Sequence, residues 1–230
     1  MNVLILCEKS QRIQKAFERK GAFALSCDIL PAEIDPSRHL QDDAIAVLTK
    51  IFYRATLFTQ TNDPVEEFYP DLIIAHPPCT YLSSAGARWW KYKKREQKQA
   101  IQFFAYIYYL SSIISPRVCI ENPAGIMSTK YRKPDQYINP YQFGEPFAKR
   151  TGLWLYGLPK LKPTEILERP EYGWLNQSFD KSGKLRGFNG SFRNPETRSR
   201  TFRGIANAMA DQWFDFIEKE KKKNDVARSC

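Results

Sequence analysis

Histidine is nearly missing from this 230-residue chain, which has only His39 and His76, and that removes the commonest way of building a metal site. His76 with Cys79 would supply only two ligands, and no Pro-Cys-x-x-Cys stretch exists to make the zinc centre of a nucleobase deaminase. No metal is expected. Glycine is also sparse, with none before Gly21, so the first strand end has no glycine-rich turn. The five cysteines, Cys7, Cys27, Cys79, Cys119 and Cys230, are odd in number and lack the spacing of a disulfide scaffold. With no basic, apolar leader ahead of Cys7, they point to a reducing cytoplasm. Long apolar runs are absent too: "AIQFFAYIYYLSSII" at 100–114 is too short and too rich in tyrosine and serine to span a bilayer, so no membrane association is expected. Acidic residues are outnumbered 25 to 35 by lysine and arginine, and the resulting charge of +10 calls for a polyanionic partner.

What is present alternates. "NVLILC" is an apolar run of strand length, and in "EKSQRIQKAFERKG" Ile13, Ala16, Phe17 and Lys20 recur at helical spacing before Gly21 stops the helix. "AFALSCDIL" reads as a second strand, "DDAIAVLTKIFYRATLF" as a second helix and "PDLIIA" as a third strand ending at His76. A long helix follows over 86–114, then a strand at "RVCIE". "TGLWLYGL" (151–158) is a further strand candidate. Strands alternating with helices predict one α/β domain, with a mostly parallel sheet and helices on both faces. The expected domain is 1–218, with a loop-rich region at 159–200 and a closing amphipathic helix at 204–218. That helix carries Ile205, Met209, Trp213, Phe216 and Ile217 on one face. Residues 219–230 form a basic tail whose lysine-rich end is expected to fray.

Ligands of such sheets sit beyond the carboxyl ends of the strands, where Cys7, Asp28, Cys79 and Glu121 all fall. "LIIAHPPCTYLS" puts a thiol after two prolines, whose fixed backbone suits a side chain held towards a cleft. Alone, such a thiol reads more simply as a small buried packing residue. "IENPAG" then brings Glu121 and Asn122 to the next strand end, where an unpaired carboxylate would be costly. A thiol and a carboxyl therefore enter one crevice. "RWWKYKKREQK" (88–98) mixes aromatics with cations and reads equally as a solvated helix face or a grip on unpaired bases. Arg193, Arg198, Arg200 and Arg203 in "GSFRNPETRSRTFRG" form a stronger candidate phosphate surface.

"HPPCTYL" followed by "ENP" resembles the Pro-Cys and Glu-Asn motifs of the cytosine-C5 DNA methyltransferases, particularly the short phage-type members. "FGEPFAKRTGLWLYGL" (143–158) is similar to a further segment of that family through Gly144, Pro146 and Gly157, and "GIANAMADQW" to its closing segment through Asn207-Ala208. The four blocks stand in the family's order. The resemblance implies a Rossmann-like class I methyltransferase fold. It also implies methyl transfer from S-adenosylmethionine to cytosine C5 in double- or single-stranded DNA, by a monomer in a bacterial or phage-infected cell. Cys79 matches the nucleophile that adds to C6, and Glu121 the group that donates to N3, a role best served by a raised pKa. A cation beside O2 comes from Lys149 or Arg150; Arg150 is assigned to catalysis, and Lys149 to nucleic-acid binding with the four arginines. The donor site takes Cys7, Ser10, Asp28 on the ribose, Asp43 towards adenine, Pro77 and Asn207. An amino-methyltransferase would carry Asp or Asn before the two prolines, where this chain has His76. The glycine-poor first turn leaves an alternative: a nucleic-acid-binding protein that kept the fold and lost the donor site.

Overall fold

The structure is a computed structural model that describes residues 1–169, 177–179, 182, 185–188 and 200–228. Among the described residues the strands, in chain order, are β1 (Asn2–Leu6), β2 (Phe23–Asp28), β3 (His39–Gln41), β4 (Leu57–Phe58), β5 (Pro64–Val65), β6 (Leu72–Ala75), β7 (Val118–Pro123), β8 (Gln136–Ile138), β9 (Thr151–Tyr156), β10 (Gln177–Phe179) and β11 (Leu185–Phe188). The α-helices are α1 (Arg12–Arg19), α2 (Ala44–Phe52), α3 (Lys94–Ile114), α4 (Met127–Lys130) and α5 (Arg203–Arg228).

Seven strands form one sheet in the order β3-β2-β1-β6-β7-β9-β8. The first five are parallel, and β9 runs antiparallel to both β7 and β8. The parallel strands read as unbroken apolar runs because both of their faces are buried. Val3 and Ile5 pack with Ile13 and Phe17 of α1 and with Met209 and Trp213 of α5. Leu4 and Leu6, one residue out of phase, pack with Val47 and Leu48 of α2 and Phe104 and Ile107 of α3. Single-residue alternation thus assigns each strand residue to one of two cores. No helix among the described residues is long and apolar enough to cross a membrane.

The helix expected over 86–114 starts later. Ser84–Trp89 is a 3-10 helix, and α3 begins at Lys94. The closing helix continues past 218 to Arg228, so the segment expected to fray is helical. Gly21 does end α1 region, with φ of +89°, a conformation that costs glycine least. The strand order reverses direction between β1 and β6, which opens a crevice above their carboxyl ends.

Candidate functional site

A cleft of about 220 Å³ lies over this crevice. The β1 end contributes Cys7, Glu8, Lys9 and Ser10, and the β2 end Asp28 and Leu30. The β6 end contributes His76 to Cys79, the β7 end Glu121 to Pro123, and Lys149, Arg200 and Thr201 close the far side. Two other hollows hold only about 10 Å³ each, room for a single water.

The turn carrying Cys79 is held from both sides. Its carbonyl accepts hydrogen bonds from the Leu82 and Ser83 amides, at 3.0 and 2.9 Å. Buried Asn122 donates through Nδ2 to the Pro77 carbonyl at 2.7 Å, bracing a stretch whose prolines have no amide hydrogens of their own. Asn122 therefore positions the turn. The turn is also laced to the chain beyond β7: Ser84 N donates to Ala124 O at 3.1 Å and Ile126 N to Leu82 O at 2.9 Å. Gly125 permits this approach, since a Cβ there would run into the Leu82 carbonyl. Thiol and carboxyl are thus carried on one braced unit.

Glu121 and His76 form the centre of that unit. His76 Nδ1 lies 2.8 Å from Glu121 Oε2, with the two side chains 11% and 14% exposed. Burial pushes the Glu121 carboxyl up, but the His76 hydrogen bond and charge, with Lys149 and Thr151, outweigh it and hold the group below its ordinary range. The raised value expected from sequence is therefore reversed, because a histidine faces the carboxyl. An ionised carboxylate only accepts hydrogen bonds, so Nδ1 carries the hydrogen. The second histidine is a strut: buried His39 bonds Ser26 Oγ and the Leu30 carbonyl at 2.8 and 2.9 Å.

The first turn manages without glycine. Cys7 and Gln11 adopt left-handed backbone, φ 58° and 55°, which non-glycine residues seldom take. The buried Gln11 side chain secures the loop by accepting from the Ile34 and Asp35 amides and donating to the Asp35 carbonyl. Burial, reinforced by Asp28 and Asp43, pushes the Cys7 thiol far up, so it remains a neutral thiol.

Of the residues picked from sequence, Cys7, Ser10, Asp28, Pro77, Cys79, Glu121, Lys149 and Arg200 meet in the cleft. Four do not line it. The Arg150 guanidinium stacks 3.9 Å from the Tyr137 ring centroid, because adjacent residues entering β9 point to opposite sides and Lys149 takes the inward one. Asn207 is exposed on α5 and accepts from Arg19 at 2.7 Å, while its neighbours Ala206 and Ala208 face the core. Arg203 is exposed at the start of α5. Asp43 caps α2, its Oδ1 accepting from the Ile45 and Ala46 amides at 2.9 and 3.1 Å. Asp43→Ala should accordingly cost about 1 kcal/mol of stability and leave ligand binding at the cleft unchanged; a denaturant melt beside a binding titration checks both. Arg193 and Arg198 lie outside the described residues.

Glu8, His76 and Arg12 were not picked as binding or catalytic residues from sequence. Arg12 donates to the Thr201 carbonyl at 2.8 Å, and it loses basicity through burial and through the neighbouring charges of Arg200 and Arg203. That crowding of three arginines marks a cationic rim. An acid directly beyond a strand end, where glycine was expected, was the available signal for Glu8. Among the described residues no group of three or more His, Cys, Asp or Glu side chains could hold a metal ion.

Comparison with protein-family models finds no match to this chain, and comparison with curated proteins finds none either.

Proposed function

We propose that this chain is a cytosine-C5 DNA methyltransferase of Rossmann-like class I fold, using Cys79 as nucleophile and S-adenosylmethionine as methyl donor. The observation carrying the reading is the shared cleft. Cys79 and Glu121 come from neighbouring parallel strand ends, in one volume with the acids that follow β1 and β2. A large sheet that places its order reversal beneath this cleft supports the finer fold assignment.

Cytosine C5 is too weak a nucleophile to take a methyl group unaided. Addition of the Cys79 thiolate to C6 moves the C5–C6 π electrons into the ring, where C5 becomes enamine-like and N3 basic. In its protonated form Glu121 gives N3 a hydrogen bond or proton as charge develops there, and takes the proton back when the adduct collapses. Loss of the C5 proton to a base then restores the double bond and expels Cys79 as thiolate. When bound, S-adenosylmethionine would supply the electrophilic methyl group to C5 and leave as the thioether S-adenosylhomocysteine. Residues on the donor side fit it chemically: Asp28 can accept from ribose hydroxyls, and Glu8 has a buried oxygen with no partner. His76 keeps Glu121 oriented. The target base must leave the helix stack to reach this cleft.

Incubation with methyl-labelled donor and DNA, followed by nucleoside analysis, should yield labelled 5-methylcytosine; label on adenine or on cytosine N4 would overturn the reaction. DNA binding with no donor binding by calorimetry would identify the non-catalytic descendant instead.

Lys9, Arg12, Lys149 and Arg200 stand at or beside the cleft rim as phosphate contacts. With about four contacts, DNA affinity should fall roughly 100-fold between 50 and 200 mM salt through counterion release. Fluorescence anisotropy across that range measures the slope, and a flat response would exclude a phosphate-contacting surface.

A further inference from the structure

Glu8 is a buried acid with half of its hydrogen bonding undone. It is 5% exposed, in the loop between β1 and α1. Its Oε1 accepts from the Ile13 amide at 3.0 Å and from Ser10 Oγ at 3.1 Å. Its Oε2 is shielded from solvent and has no partner, although Glu8 lines the cleft. A carboxylate in that position needs a cation, and three of those that line the cleft with it are directed elsewhere. Lys9 and Arg200 both turn to Glu33, at 3.6 and 2.8 Å. His76, whose charge favours the ionised acid from across the cleft, is hydrogen-bonded to Glu121. Burial therefore pushes the Glu8 carboxyl up, against the smaller opposing effects of His76, of the Ile13 and Gln14 amides at the start of α1 and of Ser10.

We propose that Glu8 binds the α-ammonium group of the methyl donor, an inference that rests on the cleft taking S-adenosylmethionine. The unpartnered Oε2 asks for a hydrogen donor, and the buried charge asks for that donor to be positive. Of the donor's groups only the ammonium is both. The sulfonium has no hydrogen to give, and it loses its charge as the methyl leaves, so a carboxylate gripping it would hold the ground state more tightly than the transition state. Ribose and adenine carry hydrogen donors without charge, and Asp28 stands at the next strand end to meet them. Glu8 thus occupies the turn where glycines are missing and replaces close backbone approach with a side-chain contact.

Binding of the cation favours the ionised form of Glu8 and so opposes the upward push of burial. The other charged groups sharing its cleft are Lys9, Asp28, His76, Glu121, Lys149 and Arg200, and they are unchanged in a Glu8→Gln variant, which isolates its contribution. A raised acid pKa means that the folded state favours the proton, so stability linked to Glu8 is full below the ordinary value of 4.5 and is lost as pH rises through the higher folded value. Glu8→Gln without ligand should therefore melt at or above the wild-type temperature, with the difference growing as pH rises above the ordinary value of 4.5.

Calorimetry on the full chain tests the assignment with S-adenosylmethionine, S-adenosylhomocysteine and 5′-methylthioadenosine, the last lacking the amino-acid end. Glu8→Gln should weaken the first two by roughly 10- to 100-fold and leave the third within about twofold. Proton release on binding S-adenosylhomocysteine, read from buffers of different ionisation enthalpy, should be greater for wild type than for the variant. Unchanged affinity for all three, or loss confined to S-adenosylmethionine, would overturn the ammonium assignment. Equal loss of all three with a lowered melting temperature would reduce Glu8 to a loop-forming residue. If wild type binds none of them, the donor reading fails and the Glu8 assignment falls with it.

Discussion

Cys79→Ser is expected to abolish methyl transfer, with turnover reduced by about 10⁴-fold or more, while the melting temperature and DNA affinity stay close to wild type. The two halves of this expectation have separate causes. Serine keeps the volume and leaves untouched the bonds that hold the turn, since these run through the Cys79 carbonyl and through Asn122 to Pro77. Chemistry is lost because a hydroxyl adds to C6 far less readily than a thiolate. Cys7 is the other thiol lining the cleft. Burial, with Asp28 and Asp43 nearby, keeps Cys7 protonated, so Cys7→Ser should spare the covalent step. Labelled-methyl incorporation, run beside a thermal melt and anisotropy, reads all three properties. Activity of Cys79→Ser above about a tenth of wild type would remove Cys79 from the mechanism.

The parallel core was legible because strands buried on both faces must be apolar at every buried position, as in "VLIL" of β1 and "LIIA" of β6. Three-residue strands such as β3 and β8 show no period, and they are strands only because a neighbour offers them a ladder. At the site, Cys79, Glu121 and Asp28 could be read from their places at strand ends. The choice of Arg150 over Lys149 failed on parity: one residue of register at the start of β9 decides which side chain enters the cleft. Asp43 failed because an acid ahead of a helix can equally well be its cap. His76 facing Glu121 depends on the register of β6 against β7, which leaves no mark in either strand alone. Consequently the presence of the acid could be foreseen, but the direction of its pKa shift could not.

That shift sets the expected behaviour of Glu121→Gln. The substitution should lower kcat by about 100- to 1,000-fold and change KM much less, because the interaction matters most as N3 gains charge. Stability must be followed separately. Glu121 has a depressed folded-state pKa, so its contribution is present above the ordinary value of 4.5 and is lost as pH falls through the lower folded value. The variant should thus melt below wild type at neutral pH and converge with it in acid. Catalysis should show the opposite trend if Glu121 acts as a proton donor. Its donating form is the protonated one, scarce above its low pKa and scarcer by up to tenfold for each further pH unit. A glutamine amide keeps its hydrogens at every pH. The ratio of wild-type to variant kcat/KM should therefore decline as pH rises, and taking the ratio cancels the pH dependences that both proteins share. Paired rate profiles from about pH 5.5 to 8.5 measure this. A ratio that stays flat across that range would show Glu121 working as a permanent carboxylate acceptor, with His76 holding it ionised throughout turnover and the N3 proton coming from elsewhere in the cleft.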